Sequence, residues 1–189
     1  MSETGANEHG GPPVLPDGGA CGHLLGAALP ALTLESTAGP VDLAELAAHL
    51  LVLFVYPHAT GLPEAPVPGW ELIPGARGCT AQSCAFRDQH DRLTDLGAAL
   101  AGLSVQAAEE QRQFAARVGL RYPLLSDPAR RLAAPLALPT FTAGGRAFYS
   151  RLTLIARGQS VVKVFYPVCE PERNAADVVA WLESNCPTS

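Results

Sequence analysis

Residues 78–88 read GCTAQSCAFRD, directly after a loop rich in Pro and Gly and at the head of an apolar stripe with helical spacing, Phe86, Leu93 and Leu96. The stretch puts one thiol, Cys79, in the first turn of a predicted helix. Backbone N–H groups there have no helical partner and the positive end of the helix dipole lies among them, so the thiolate is favoured. The thiolate is the form that acts as a nucleophile. Arg77, just before it, adds positive charge.

A second thiol, Cys84, follows one and a half turns on. In an intact helix that spacing means ~140° of rotation and a rise of ~7.5 Å. A disulfide needs Cβ atoms ~3.5–4.5 Å apart, so the pair cannot be a static bridge while the helix stands. The spacing suits a thiol that reacts alone and is captured by the second after the helix opens locally. Two other readings fit the bare spacing. Both cysteines can be ordinary small helix residues, or they can be half of a zinc site with His58 and His90 as candidate ligands. The chain has no second close-spaced Cys/His pair to support the metal, and no Cys-x-x-Cys of the disulfide-exchange type.

Upstream, residues 50–56, LLVLFVY, form an apolar run closed by Pro57, which predicts a buried central strand. Residues 29–35 have strand character, and 43–49 read as a helix with Asp42 as N-cap. Residues 57–78 are irregular, broken by Pro63, Pro66, Pro68 and Pro74. Downstream, 100–105 read as a strand and 108–118 as a helix. Ser126-Asp127-Pro128 has the form of a cap followed by Pro at the first helical position. Residues 151–155 and 161–166 flank a hairpin turn at 157–160. Asn174 is placed to cap a last helix whose inner face is Ala175, Val178, Val179 and Leu182. Strand, helix, strand, helix, hairpin and closing helix predict a three-layer α/β domain with a mixed sheet. Its expected limits are residues 24–186, after a flexible segment at 1–23 rich in Gly, Pro and small polar residues.

The chain has 189 residues, 48% hydrophobic and 16% charged, which suits one packed domain. A formal net charge of −5 gives no electrostatic case for nucleic acid. No apolar run reaches the ~18–20 residues needed to cross a bilayer. The first residues carry Glu3, Glu8 and Asp17 and no basic region, so no secretory signal is expected. An odd set of cysteines, Cys21, Cys79, Cys84, Cys169 and Cys186, then points to a reducing, cytoplasmic setting in which thiols are chemical more often than structural.

Taken with what surrounds it, GCTAQSCAFRD resembles the active-site helix of the peroxiredoxins, specifically the bacterioferritin-comigratory (Q-type) subfamily. The resemblance runs from about residue 26 to about 182. Residues 50–57 match the family's strand ending in Tyr-Pro. Gly102-Leu103-Ser104, Phe114, Leu125-Ser126-Asp127 and Arg151-Leu152-Thr153-Leu154-Ile155 match later family elements in order. The resemblance implies a thioredoxin-like α/β/α sandwich and a thiol peroxidase without metal or organic cofactor. It makes Cys79 the peroxidatic cysteine, oxidised by H2O2 or an organic hydroperoxide to a sulfenic acid. Cys84 becomes the resolving cysteine of an intramolecular disulfide, reduced by thioredoxin or a similar donor. Arg151 becomes the residue that stabilises the thiolate and orients the peroxide. A monomer is implied.

The chain departs from the family where Pro-x-x-x-Thr-x-x-Cys is expected, because Ala76 holds the Thr position. An inserted segment of about residues 61–74 precedes it. Thr60 is the candidate substitute hydroxyl. Trp70, in the insert, belongs either to a lid over Cys79 or to an exposed, Pro-stiffened loop. Ala76 also raises a reading of another class, a non-catalytic redox sensor or interaction module on the same fold. Cys169 and Cys186 are expected to be structural or incidental. Cys21 is expected in the flexible segment and His90 on the surface.

Overall fold

The computed structural model describes residues 21–59 and 67–185. Strand β3, Leu50–Val55, is buried at every position. Its alternating side chains feed two separate cores. Leu51, Leu53 and Val55 face one, with Leu43, Leu103, Phe148 and Leu154. Leu50, Val52 and Phe54 face the other, with Phe86, Leu93, Phe114, Ile155 and Val178. Each such side chain withdrawn from water contributes ~1.5–3 kcal/mol, so a strand apolar on both faces is driven to the middle of the sheet.

The sheet also contains β1 (Thr33–Ser36), β2 (Val41–Asp42), β4 (Ala98–Ser104), β5 (Leu124–Ser126), β8 (Leu152–Arg157) and β9 (Ser160–Phe165), in the order β2-β1-β5-β4-β3-β8-β9. β3, β4 and β5 are parallel, while β1, β8 and β9 run against their neighbours. The sheet is therefore mixed, as expected. On one face lie α2 (Cys79–Asp88), α3 (His90–Asp95), α4 (Ala108–Val118) and α6 (Asn174–Asn185). The other face carries short α1 (Leu43–Leu46), α5 (Ala133–Leu136) and a hairpin of β6 (Thr140–Ala143) and β7 (Arg146–Tyr149).

Several expectations change in detail. Asp42 does cap α1, accepting from the N–H groups of Ala44 and Glu45, but that helix stops at Leu46. The helical stripe starting at Cys79 is broken at Gln89 into α2 and α3. No helix starts at Pro128. The Asp127 carboxylate instead accepts from the N–H groups of Arg131 and Leu132 (2.8 and 2.9 Å) and from the Tyr149 hydroxyl (2.7 Å), so it ties a turn to β7. Burial and that carboxylate together push the Tyr149 phenol up. Cys21 is 4% exposed and packs in the core with Leu24, where a flexible segment was expected. Residues 1–20 lie outside the described residues.

The described part of the insert is docked. Trp70 is 6% exposed, its ring 4.9 Å from Phe148 and 5.8 Å from Phe141. An exposed loop is thus ruled out for this end of the insert, although Leu72 projects outward at 81% exposure. His58 also lies against Trp70 and Phe148. Burial holds its imidazole below the usual pKa, partly offset by Glu110. Protonating it therefore costs the folded state more than the unfolded one. Stability is full above the unfolded pKa of ~6.5 and falls as pH drops below it. Urea unfolding between pH 7.5 and 5 should show this loss, and His58→Phe should flatten it.

At the centre of β4 a methyl group added to Gly102 would stand 2.6 Å from Leu124 and 2.7 Å from Phe54. Gly102→Ala should cost ~1–3 kcal/mol in chemical unfolding through overpacking.

Candidate active site

Beyond Val55 the chain leaves β3 through the fully buried Tyr56. Pairing of Val55 with Leu152 in antiparallel register puts Arg151 one step further, level with Tyr56. The cysteine helix is delivered to the same end of the sheet by a left-handed turn at Gly78, φ +93°. A side chain there would be strained, and its Cβ would stand 2.7 Å from Pro171. Cys79 is the first residue of α2 and is 4% exposed.

Arg151 organises the site. It is 3% exposed, yet among the described residues it forms no ion pair with a carboxylate. Its Nε donates to the carbonyl of Gly75 at 3.3 Å. One terminal nitrogen donates to the carbonyls of Arg77 (2.8 Å) and Ala76 (3.4 Å) and to Cys79 Sγ at 3.0 Å. The other donates to Gln82 Oε1. Gln82 Nε2 passes the chain on to Asn174 Oδ1 at 2.9 Å, and the Thr153 hydroxyl donates to the same oxygen at 2.6 Å. A buried cation surrounded by neutral acceptors is left with sulfur as the partner able to carry negative charge. The contact therefore aims the guanidinium edge at Cys79 Sγ, where it also faces an oxygen approaching the sulfur.

The structure brings Arg151 to Cys79, as the resemblance implied, together with Gln82, Asn174 and Thr153, which the sequence reading did not name as site residues. The signals were present in two cases. Gln82 lies three residues after Cys79, hence on its helix face, and Thr153 is two residues after Arg151, hence on the same side of β8. Asn174 was read only as a cap. It is itself the first residue of α6, and its side chain serves Gln82 and Thr153.

Cys84 is half-buried, a free thiol in the same unbroken helix as Cys79. Ala76 is fully buried and supplies a carbonyl, 3.5 Å from Cys79 Sγ, where a Thr hydroxyl was expected. Thr60 and Cys186 lie outside the described residues, and Cys169 is exposed. Tyr56 closes the inner side of the site. Its hydroxyl accepts from Gln111 Nε2 at 3.2 Å, and burial, with a smaller push from the charge of Cys79, raises its pKa. His90 stacks on Tyr122 rather than lying free on the surface. Among the described residues no three His, Cys, Asp or Glu side chains converge to hold a metal.

The chain that carries this site is similar to known proteins in sequence and fold. The AhpC/TSA family matches residues 72–163. The chloroplastic peroxiredoxin Q of Sedum lineare is 28% identical over 161 residues, 84% of this chain and 77% of that protein. The Arabidopsis thaliana peroxiredoxin Q is 29% identical over 84% of this chain and 67% of its own. The crystal structure of peroxidoxin BcpB from Mycobacterium tuberculosis superposes with a TM-score of 0.69 at 25% identity, covering 85% of this chain and 97% of that one. The bacterioferritin comigratory protein of Xanthomonas campestris, described for its alkyl peroxide reduction activity, shares the fold at TM-score 0.67 and 23% identity over 85% of this chain. The chain is similar to the AhpC/TSA family over residues 72–163, and its fold is the thioredoxin-like fold of the peroxiredoxins.

Arg151→Lys keeps a charge but loses the planar fork. It should slow the reaction of Cys79 with H2O2 by roughly 10²-fold in stopped-flow mixing, the scale for losing one well-placed donor to a developing oxyanion.

Proposed function

We propose that this chain is a thiol-dependent peroxidase that reduces H2O2 and organic hydroperoxides, with Cys79 as the peroxidatic and Cys84 as the resolving cysteine. The observation that carries the reading is the 3.0 Å contact of the buried Arg151 with Cys79 Sγ. The Cys79 thiolate attacks one peroxide oxygen and the O–O bond breaks. Sulfur becomes the sulfenic acid, and the departing alkoxide or hydroxide takes a proton to leave as alcohol or water. The Cys84 thiol then attacks the sulfenic sulfur, releasing water and forming the disulfide. Thioredoxin or a similar dithiol returns both sulfurs to thiols. The electrons come from thiols at every step, so the cycle requires neither metal nor organic cofactor. We assign the protein to the cytoplasm as a monomer, in keeping with its cysteine usage and its subfamily resemblance. A passive sensor is less favoured, because the arginine–sulfur contact is present despite Ala76.

Peroxide consumption coupled to a thioredoxin system tests the reading. Cys79→Ser should abolish it. Cys84→Ser should still form a trappable sulfenic acid and lose efficient turnover. Mass spectrometry after one equivalent of H2O2 should find a Cys79–Cys84 linkage, and a Cys79–Cys169 linkage would reject Cys84 as the resolving residue.

A further inference from the structure

For Cys79 and Cys84 to bond, part of α2 must unwind, because an intact helix holds them ~140° and ~7.5 Å apart. The two halves of α2 are held by different partners. The first turn is gripped through Cys79 and Gln82 by Arg151 and Asn174. The part carrying Cys84 is held by the connection between α4 and β5. The Tyr122 hydroxyl donates to the backbone carbonyl of Ser83 at 2.7 Å, and an Arg87 terminal nitrogen donates to the carbonyl of Val118 at 2.7 Å. These bonds bracket Cys84 on both sides.

The Tyr122 bond is the better protected of the two. Tyr122 is 5% exposed and Ser83 fully buried. The phenol ring is fixed between Phe54, edge-on at 5.8 Å, and His90, stacked at 6.1 Å. Its burial, reinforced by the nearby Tyr56 and Cys84, raises its pKa, so the hydroxyl remains a donor at every working pH. The Ser83 side chain adds no hold of its own, since its Oγ is buried without a hydrogen-bond partner.

We propose that the Tyr122 hydroxyl is a latch on the resolving half of α2, a positioning residue that sets how fast Cys84 is released to reach the Cys79 sulfenic acid. The proposal rests on the peroxidase reading above. While the latch is closed, Cys79 stays in the folded site and attacks peroxide under Arg151. After oxidation the latch must open before the Cys84 thiol can attack the sulfenic sulfur and release water. The longer it stays closed, the more often a second peroxide oxidises Cys79 to the sulfinic acid.

The test is rapid mixing with H2O2, alkylation quench and mass spectrometry, which separates the second-order oxidation of Cys79 from the first-order formation of the disulfide. Tyr122→Phe keeps the ring and removes the bond. It should leave the oxidation rate unchanged and accelerate disulfide formation by roughly three- to tenfold, equivalent to ~0.7–1.4 kcal/mol. Sulfinic acid at Cys79 should then appear only at higher peroxide. Ser83→Ala removes the unpartnered Oγ, leaves the carbonyl in place and should resolve at the wild-type rate. A Tyr122→Phe chain that oxidises normally but resolves no faster overturns the latch. Equal acceleration in both variants overturns it too, since general loosening of α2 would then suffice. A wild-type chain whose Cys79 forms no sulfenic acid overturns the peroxidase reading itself, and the latch with it.

Discussion

A guanidinium with almost no access to water and no carboxylate partner among the described residues is the constraint on which the site depends. Arg151 is held by the carbonyls of Gly75, Ala76 and Arg77 and by Gln82, and these place the turn before α2 as firmly as they place the arginine. An isolated buried charge would be strongly unfavourable. Here it is offset by dipoles aimed from the segment that delivers Cys79 and by the contact with its sulfur. The same contacts therefore stabilise the local fold and hold the guanidinium against the sulfur, and losing either partner leaves the other in an unsuitable environment.

In the proposed cycle the helix bearing both thiols must meet opposed demands. Peroxide attack requires α2 to be complete, with its first turn under Arg151. Disulfide formation requires part of that helix to come apart. Hydrogen bonds from two directions divide these tasks: the Arg151–Gln82–Asn174–Thr153 chain belongs to the reactive end, and Tyr122 and Arg87 to the end that carries Cys84. The insert before α2 adds a third hold. Trp70 anchors it to the β6–β7 hairpin, so the segment entering the site is pinned to the second core.

Much of the fold could be read from periodicity. The six-residue apolar strand β3, helix α4 and the inner face of α6 stand where the pattern put them, because burial of a long apolar stripe dominates local propensity there. The turn residues 157–160 likewise join β8 to β9. The β6–β7 hairpin was missed, although Gly144-Gly145 between Thr140–Ala143 and Arg146–Tyr149 is a strong turn signal, with φ of +54° and +73° matching a tight hairpin turn. Asp127 was misread for a physical reason. A carboxylate before Pro has the form of a cap, but this one was recruited by Tyr149, far along the chain, and by N–H groups of a turn rather than of a helix.

That Cys79 and Cys84 lie on one helix, too far apart to bond while it stands, was legible in the chain, since it follows from their spacing. So were the central strand, the mixed sheet and the candidacy of Arg151. The partnerships were not. That Arg151 is held by neutral carbonyls and a sulfur, that Asn174 faces Gln82, that Trp70 is buried and that Tyr122 grips the turn beside Cys84 all depend on contacts between residues distant in sequence. Periodicity reports which face of an element is apolar. Only the packing of the elements specifies which buried polar groups must satisfy one another.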